Sequence, residues 1–454
     1  MASSQRLDAD RPVVVIGAGW AGLAAAHELR RAGVPVVVLE HAPTPGGRTF
    51  SFFDPASREM LDNGEHVLLG LCTAFARLLD EAGLGSAVAW QGLRIPVRAG
   101  RRGDGLLYSK RLPGRWHLAP ALLRYSLLSL ADRMRVLQAG ARLARPLPAP
   151  QLDTITFADW LRDHHHSVEG IHDFWDLVGT AVFNARSDQV SAELAAETFG
   201  LLMRSGWRGG RLGLFTRPLG DLSQAYSHHL KERLGVRFEF GQRAEQILTE
   251  GGRVHAVATR SGKLIAARAV VAAVPHDRFA ALIARSGLTT RVNVPALAWS
   301  PILNVYLFYS ERVFHGTVAA LPDVWGAFVF NRGRLLHGVD SANDGRALVA
   351  SISAADGLSG RRGRDIADTV NVTLAQSLGI PPASYAKAVW QPHATFLAAP
   401  GTHRARPSTI TAVPGLFIAG DWTNTGWPAC LEGAVRSGIT AAMACRSPAG
   451  GVRP

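Results

Sequence analysis

The stretch Val13-Val14-Val15-Ile16-Gly17-Ala18-Gly19-Trp20-Ala21-Gly22, continued by Leu23 to Arg31 and by Val36-Val37-Val38-Leu39-Glu40, decides how the rest of the chain is read. Four consecutive apolar residues without alternation suit a central parallel strand buried on both faces. A glycine-rich turn follows at once. The next residues read as a helix ending near Gly33, and Val36 to Leu39 form a second strand closed by Glu40. This βαβ pattern carries G-x-G-x-x-G at its first turn. Gly17 permits the tight turn, Gly19 lets the backbone approach a pyrophosphate, and Gly22 lets helix and strand pack closely. Ala18, Trp20 and Ala21 belong to the same turn and helix start, whose unpaired N–H groups and positive dipole end face the phosphates. Glu40, 18 residues after Gly22, stands where an acid accepts hydrogen bonds from an adenosine ribose and disfavours a 2′-phosphate. A dinucleotide-binding unit is expected.

The whole chain has 454 residues, enough for two or three folding units, with the 47% hydrophobic and 19% charged residues of a globular protein. Its net charge is +13, with 45 Arg against 4 Lys. Such a balance admits nucleic acid, anionic substrates or an anionic membrane surface as partners. Three scattered cysteines, Cys72, Cys430 and Cys445, exclude a disulfide framework and a Cys-rich zinc site. They fit a reducing compartment. The first residues show no basic segment followed by an apolar one, and no apolar run reaches the roughly 18 residues of a spanning helix. The expectation is a cytoplasmic protein, soluble or lying on a membrane face without crossing it. His164-His165-His166 invite a metal reading, but three adjacent side chains cannot converge from one strand or helix face, so no metal is expected.

Pro45-Gly46-Gly47-Arg48 follows the second strand, where two glycines and a guanidinium suit a backbone passing close to phosphate. This pattern resembles the FAD-binding signature of the amine oxidase and phytoene desaturase superfamily. Leu416-Phe417-Ile418-Ala419-Gly420-Asp421 is similar to its second flavin motif, in which the acid after glycine binds the ribityl chain. Thr425-Gly426-Trp427-Pro428 and Glu432-Gly433-Ala434-Val435-Arg436-Ser437-Gly438 match its closing turn and helix, which start near Leu431 with amides facing the flavin. Leu61-Asp62-Asn63-Gly64-Glu65-His66-Val67-Leu68-Leu69-Gly70 and Gly420-Asp421-Trp422-Thr423-Asn424-Thr425-Gly426-Trp427-Pro428 look like the squalene-associated branch, the hydroxysqualene dehydroxylases. The likeness runs along the whole chain and is dense in motifs over roughly the first 80 and last 50 residues. Glu65 stands where that branch usually has Gln, and Gln391-Pro392-His393 replaces a more charged run.

The resemblance implies an α/β architecture with a discontinuous Rossmann-like FAD-binding domain and a second, α+β, substrate-binding domain. The expected boundaries are 1–93, 216–290 and 406–454 for the first, and 94–215 and 291–405 for the second. Strands are expected at 235–240, 243–247, 254–259, 264–267 and 269–274, with Ala244 giving backbone contacts to the adenine side. The apolar stretch Pro295 to Tyr309, broken by Ser300, Pro301 and Asn304, reads as buried sheet. The implied cofactor is FAD, bound non-covalently, because Cys430 follows the second motif instead of preceding it. The implied activity is reductive dehydroxylation of hydroxysqualene to squalene in hopanoid synthesis. There an allylic alcohol loses water and reduced flavin supplies hydride to the cation. An external electron donor is then required, and the substrate partner is a long-chain isoprenoid. A carotenoid-type desaturase or isomerase is the alternative. A non-catalytic isoprenoid carrier is opposed by the intact Glu40, Gly47-Arg48 and Gly420-Asp421.

Glu65 and His66 follow Gly64 where the family's chain passes the reactive face of the flavin. They either hydrogen-bond the flavin and local backbone, or donate the proton that releases a hydroxyl, as a buried carboxyl that stays protonated can. Trp427 either walls the flavin or fills core, and Glu432 is expected to anchor a helix end. Between Arg94 and Arg145 stand 12 basic and 2 acidic residues, so most of the net charge lies in this one segment. Within it Leu123, Leu127, Leu130, Met134 and Leu137 fall at helical spacing among arginines. The segment 94–145 therefore reads either as a basic amphipathic region on an anionic membrane, or as a helix packed on the core. No nucleic-acid motif accompanies the charge, so no nucleic acid is expected.

Overall fold

Val13–Ile16 is buried along its whole length because it has a parallel partner on each side, Val36–Glu40 and Ala269–Ala272. Arg237–Phe240 and Leu416–Ile418 extend this sheet at its two edges, also in parallel. The computed structural model describes residues 11–145, 150–360 and 363–447. The five-stranded sheet thus joins strands from near the beginning, the middle and the end of the chain. The helices Trp20–Arg31 and Leu431–Arg446 pack on one another so closely that a Cβ at Gly438 would lie 2.1 Å from the Ala21 carbonyl oxygen. An antiparallel three-stranded sheet, Ala244–Glu250, Arg253–Thr259 and Leu264–Ala266, is inserted before Ala269–Ala272.

The second unit is a seven-stranded sheet in the order Tyr385–Phe396, Trp299–Phe308, Ala347–Ser353, Ala327–Phe330, Val318–Leu321, Arg94–Arg98 and Asp104–Tyr108. Alternation along Trp299–Phe308 separates its two faces. Leu303, Val305 and Leu307 form a core with Ile366, Val370 and Leu374 of the helix Gly363–Leu378. Asn304 and Tyr306 point to the opposite face, where the Tyr306 hydroxyl donates to the Asp62 carbonyl at 2.8 Å. This face meets the dinucleotide unit, which fixes the position of the candidate site.

The basic segment departs from its expected form. Residues 94–108 are a hairpin of the seven-stranded sheet, not an amphipathic surface element. The leucine stripe is split between two helices, Ala119–Leu123 and Leu130–Leu143. The break arises because Tyr125 is fully buried, its hydroxyl donating to the Asp173 carbonyl, and because Ser129 caps the second helix through the Asp132 amide. The second helix buries Val136, Ala139 and Leu143 instead of the stripe. Leu123, Leu130 and Met134 are 48%, 69% and 44% exposed, while Leu127 and Leu137 are partly buried. Core packing of the stripe is therefore ruled out for its outer half.

Candidate active site

The glycines of the first turn are held by contacts that leave no space for a side chain. A Cβ at Gly22 would lie 1.9 Å from the Gly17 carbonyl oxygen, and Gly17 itself adopts φ 104° with the Ala273 carbonyl against it. At Gly19, by contrast, no atom lies within 4 Å of a Cβ position, so open space adjoins the backbone at the helix start. Gly46 pairs with Gly19 as an isolated bridge, and a Cβ on Gly47 would sit 3.3 Å from the Gly19 Cα. The Trp20 indole N–H donates to Thr49 Oγ1 at 3.0 Å, and the Thr49 hydroxyl donates to the Gly46 carbonyl. Trp20 thereby pins the two glycine-rich turns together. Glu40 Oε2 accepts from the Ala18 amide at 2.7 Å and Oε1 from the Ala42 amide at 2.9 Å. Gly241 and Gln242 donate to the Ala42 and Glu40 carbonyls, which brings the start of the Ala244 strand beside that acid.

Arg48 crosses to the far end of the chain. Its Nη2 pairs with Asp421 Oδ1 at 2.6 Å and its Nη1 donates to the Ala394 carbonyl at 2.7 Å. The two sequence motifs thus meet through one guanidinium, whose pKa is raised despite burial because Asp421 stands against it. Beyond this pair lies a polar cluster under Gly64. Arg332 donates to Asp62 Oδ2 and to the Met60 carbonyl, both at 2.7 Å. Glu65 Oε2 pairs with Arg332 Nη1 at 3.6 Å, beyond hydrogen-bond reach, and has no hydrogen-bond partner among the described residues although its side chain is only 6% exposed. Burial pushes the Glu65 carboxyl up from the usual 4.5 to about 7, with Arg332 opposing and Asp62 reinforcing the shift. His66 is drawn aside, its Nδ1 2.9 Å from the Gly64 carbonyl, and burial lowers its pKa. The structure therefore separates the two sequence candidates: the Glu65 carboxyl is buried 3.6 Å from Arg332 with no hydrogen-bond partner among the described residues, and the His66 ring is tied to the Gly64 carbonyl.

A model of flavin containing amine oxidoreductases matches residues 20–446. The chain belongs to this family. It is a flavin-dependent oxidoreductase. Hydroxysqualene dehydroxylase of Rhodopseudomonas palustris is 30% identical over 459 residues, covering 95% of this chain and 97% of that protein. The enzyme of the same name from Sinorhizobium fredii is 28% identical over 452 residues, with coverage of 95% and 97%. The 15-cis-phytoene desaturase of an Oncidium hybrid cultivar is 23% identical, covering 95% of this chain and 77% of its own. Among solved structures, an oxidoreductase from Methanosarcina mazei superposes with a TM-score of 0.71 at 19% identity, covering 95% of this chain and all of that one. Putrescine oxidase bound to putrescine gives 0.67 at 18%, with coverage of 95% and 98%. These last two establish the fold.

The cradle fits a flavin dinucleotide on its own chemistry. Open space lies over Gly19 at a helix N-terminus, an acid closes the second strand, and orphaned polar atoms on Asn63, Glu65 and Asn304 await partners near Gly64. Leu431 opens the closing helix, capped by Cys430, whose sulfur accepts from the Gly433 amide and whose thiol burial pushes up to about 12. Trp427 lies under the Arg436 guanidinium and packs partly against the core. Glu432 is fully buried and accepts from the Ala74 and Phe75 amides, capping the helix Thr73–Glu81. The three neighbouring histidines diverge: His164 stacks on Trp160, His165 is exposed, and His166 accepts from the Trp175 indole. Among the described residues no group of three His, Cys, Asp or Glu side chains is placed to hold a metal ion.

Three site residues escaped the sequence reading. Arg332 and Arg406 are two of many arginines, and nothing local distinguishes them. Arg406 is buried and ties the second flavin motif by donating to the Asp421 and Thr423 carbonyls. Asn304 did leave a signal, as the polar break inside an apolar strand.

Proposed function

We propose that the protein uses non-covalently bound FAD to remove the hydroxyl of hydroxysqualene reductively, giving squalene. The observation that carries this reading is the likeness to hydroxysqualene dehydroxylases over 95% of the chain, and the buried Glu65 carboxyl, pushed up to about 7, adds an acid suited to releasing a hydroxyl. Removing hydrogen from a plain polyene needs no acid, whereas expelling hydroxide from an alcohol does. The Gly17–Gly22 turn with Glu40 and the edge at Ala244 would hold the adenosine and pyrophosphate, and Arg48 with Asp421 the ribityl side. The first amides of the helix from Leu431 would face the ring. Reduced FAD supplies the hydride. Glu65 passes its proton to the substrate oxygen, the C–O bond breaks with its electron pair leaving on water, and Arg332 steadies the carboxylate left behind. The decisive experiment mixes anaerobic, photoreduced holoenzyme with hydroxysqualene. Flavin absorbance should return as one squalene forms per flavin. Reduction of the oxidised holoenzyme by a polyene, with no response to the alcohol, would assign a desaturase instead.

The substrate is a long hydrocarbon, and the exposed outer half of the leucine stripe supports collection from an anionic lipid surface. Leu123, Leu130 and Met134 are exposed large apolar side chains, with Arg124 and Arg133 among them in the chain. Arg133 donates to the Leu123 and Leu128 carbonyls, which brings the two short helices side by side. Among the described residues no helix is long and apolar enough to cross a membrane, so this patch would lie on the surface. Co-sedimentation with phosphatidylglycerol vesicles is expected, weaker on phosphatidylcholine and weakened by salt. Leu130→Glu with Met134→Glu should lower binding at least tenfold while flavin content is unchanged. Equal binding by that double variant would remove the docking surface.

A further inference from the structure

We propose that Asn304 is a hydroxyl-recognising residue of the substrate site, holding the oxygen to which Glu65 gives its proton. This rests on the reading of the substrate as an alcohol. Asn304 is fully buried in the strand Trp299–Phe308, on the face turned to the dinucleotide unit. Its Oδ1 accepts from the Glu65 backbone amide at 3.3 Å, which fixes the orientation of the carboxamide. Its Nδ2 then carries two N–H donors with no partner among the described residues, and lies 3.3 Å from the Cβ position of Gly64. Gly64 packs against these donors, and the next residue, Glu65, has a buried Oε2 that is also without a hydrogen-bond partner among the described residues. Buried donors left unpaired are unfavourable, so their retention points to an acceptor that arrives with a ligand. Two donors beside one acidic proton suit an oxygen with lone pairs. Two sources have that chemistry, a substrate hydroxyl and a flavin carbonyl, and the hydroxyl is favoured because Asn304 is bonded to the backbone of Glu65, the residue that would supply the proton. Such a site rejects an analogue lacking the hydroxyl, since the donors then stay unpaired.

The test titrates oxidised holoenzyme with hydroxysqualene and with squalene, following the flavin spectrum. Wild type should bind the alcohol at least tenfold more tightly. Asn304→Leu, and Asn304→Asp as a second variant that keeps the acceptor for the Glu65 amide, should abolish that preference while squalene affinity and flavin retention stay unchanged. A preserved preference in both variants overturns the proposal, as does flavin loss or a shifted flavin potential, which would place Asn304 on the cofactor. If wild type itself shows no preference, the alcohol reading has failed and not the role of Asn304 alone.

Discussion

Glu65→Gln is expected to slow flavin reoxidation by hydroxysqualene about 10²- to 10⁴-fold, the range a positioned general acid contributes. The substitution keeps the size of the side chain and removes only the dissociable proton, so flavin affinity should not change. The pH dependence follows from the sign of the shift. The acid is active while protonated, so the wild-type rate should be level at low pH and fall as pH rises through about 7. The variant should show a flat profile there. Stability carries the same signature. Because the folded state holds this proton up to about 7 and the unfolded chain only to the usual 4.5, wild type loses stability as pH rises across that window. Glu65→Gln should lack this slope in calorimetric scans of the holoenzyme. A variant rate equal to wild type would show that an amide suffices, as the resembling branch's usual Gln suggests, and would reduce Glu65 to a packing role.

The second large effect is expected at Arg332. Arg332→Met should destabilise the protein by about 3–5 kcal/mol, the range for removing one partner of a buried ion pair. The guanidinium and Asp62 are 6% and 4% exposed, so water cannot replace the lost charge. Asp62 would keep the Leu219 amide and the Ser51 hydroxyl, but the Met60 carbonyl would lose its donor. The Glu65 carboxyl would lose the opposing Arg332 charge and move further up, carrying the fall in rate to higher pH. Calorimetry of Arg332→Met against the double variant with Asp62→Asn checks this. The double variant should recover part of the loss, because removing both charges leaves no unpaired ion. A single variant within 1 kcal/mol of wild type would mean that the pair does not hold the two units together.

Those two residues mark where sequence reading stops. Gly17, Gly19, Gly22, Glu40 and Gly47-Arg48 could be read directly, because each acts through backbone geometry or charge within a few residues of a strand end. The same holds for Gly420-Asp421, one step past a short buried strand. In the basic segment the stripe was legible but not its division into two helices, because helical spacing alone cannot register that Tyr125 is pulled into the core. His66 was paired with Glu65 because they are adjacent, yet Gly64 takes one and Arg332 confronts the other.

By itself the sequence determined the nucleotide cradle, since the tight turn, the helix start and the closing acid are set by neighbouring residues whatever the rest of the chain does. Only the tertiary structure decided the surroundings of Glu65. Arg332 reaches Asp62 across 270 positions and Asn304 reaches the Glu65 amide across 239. Those encounters exist because one face of the seven-stranded sheet is laid against the loop at Gly64. The water excluded there raises the Glu65 carboxyl and leaves the Asn304 donors unpaired, and no local pattern in the chain encodes that exclusion.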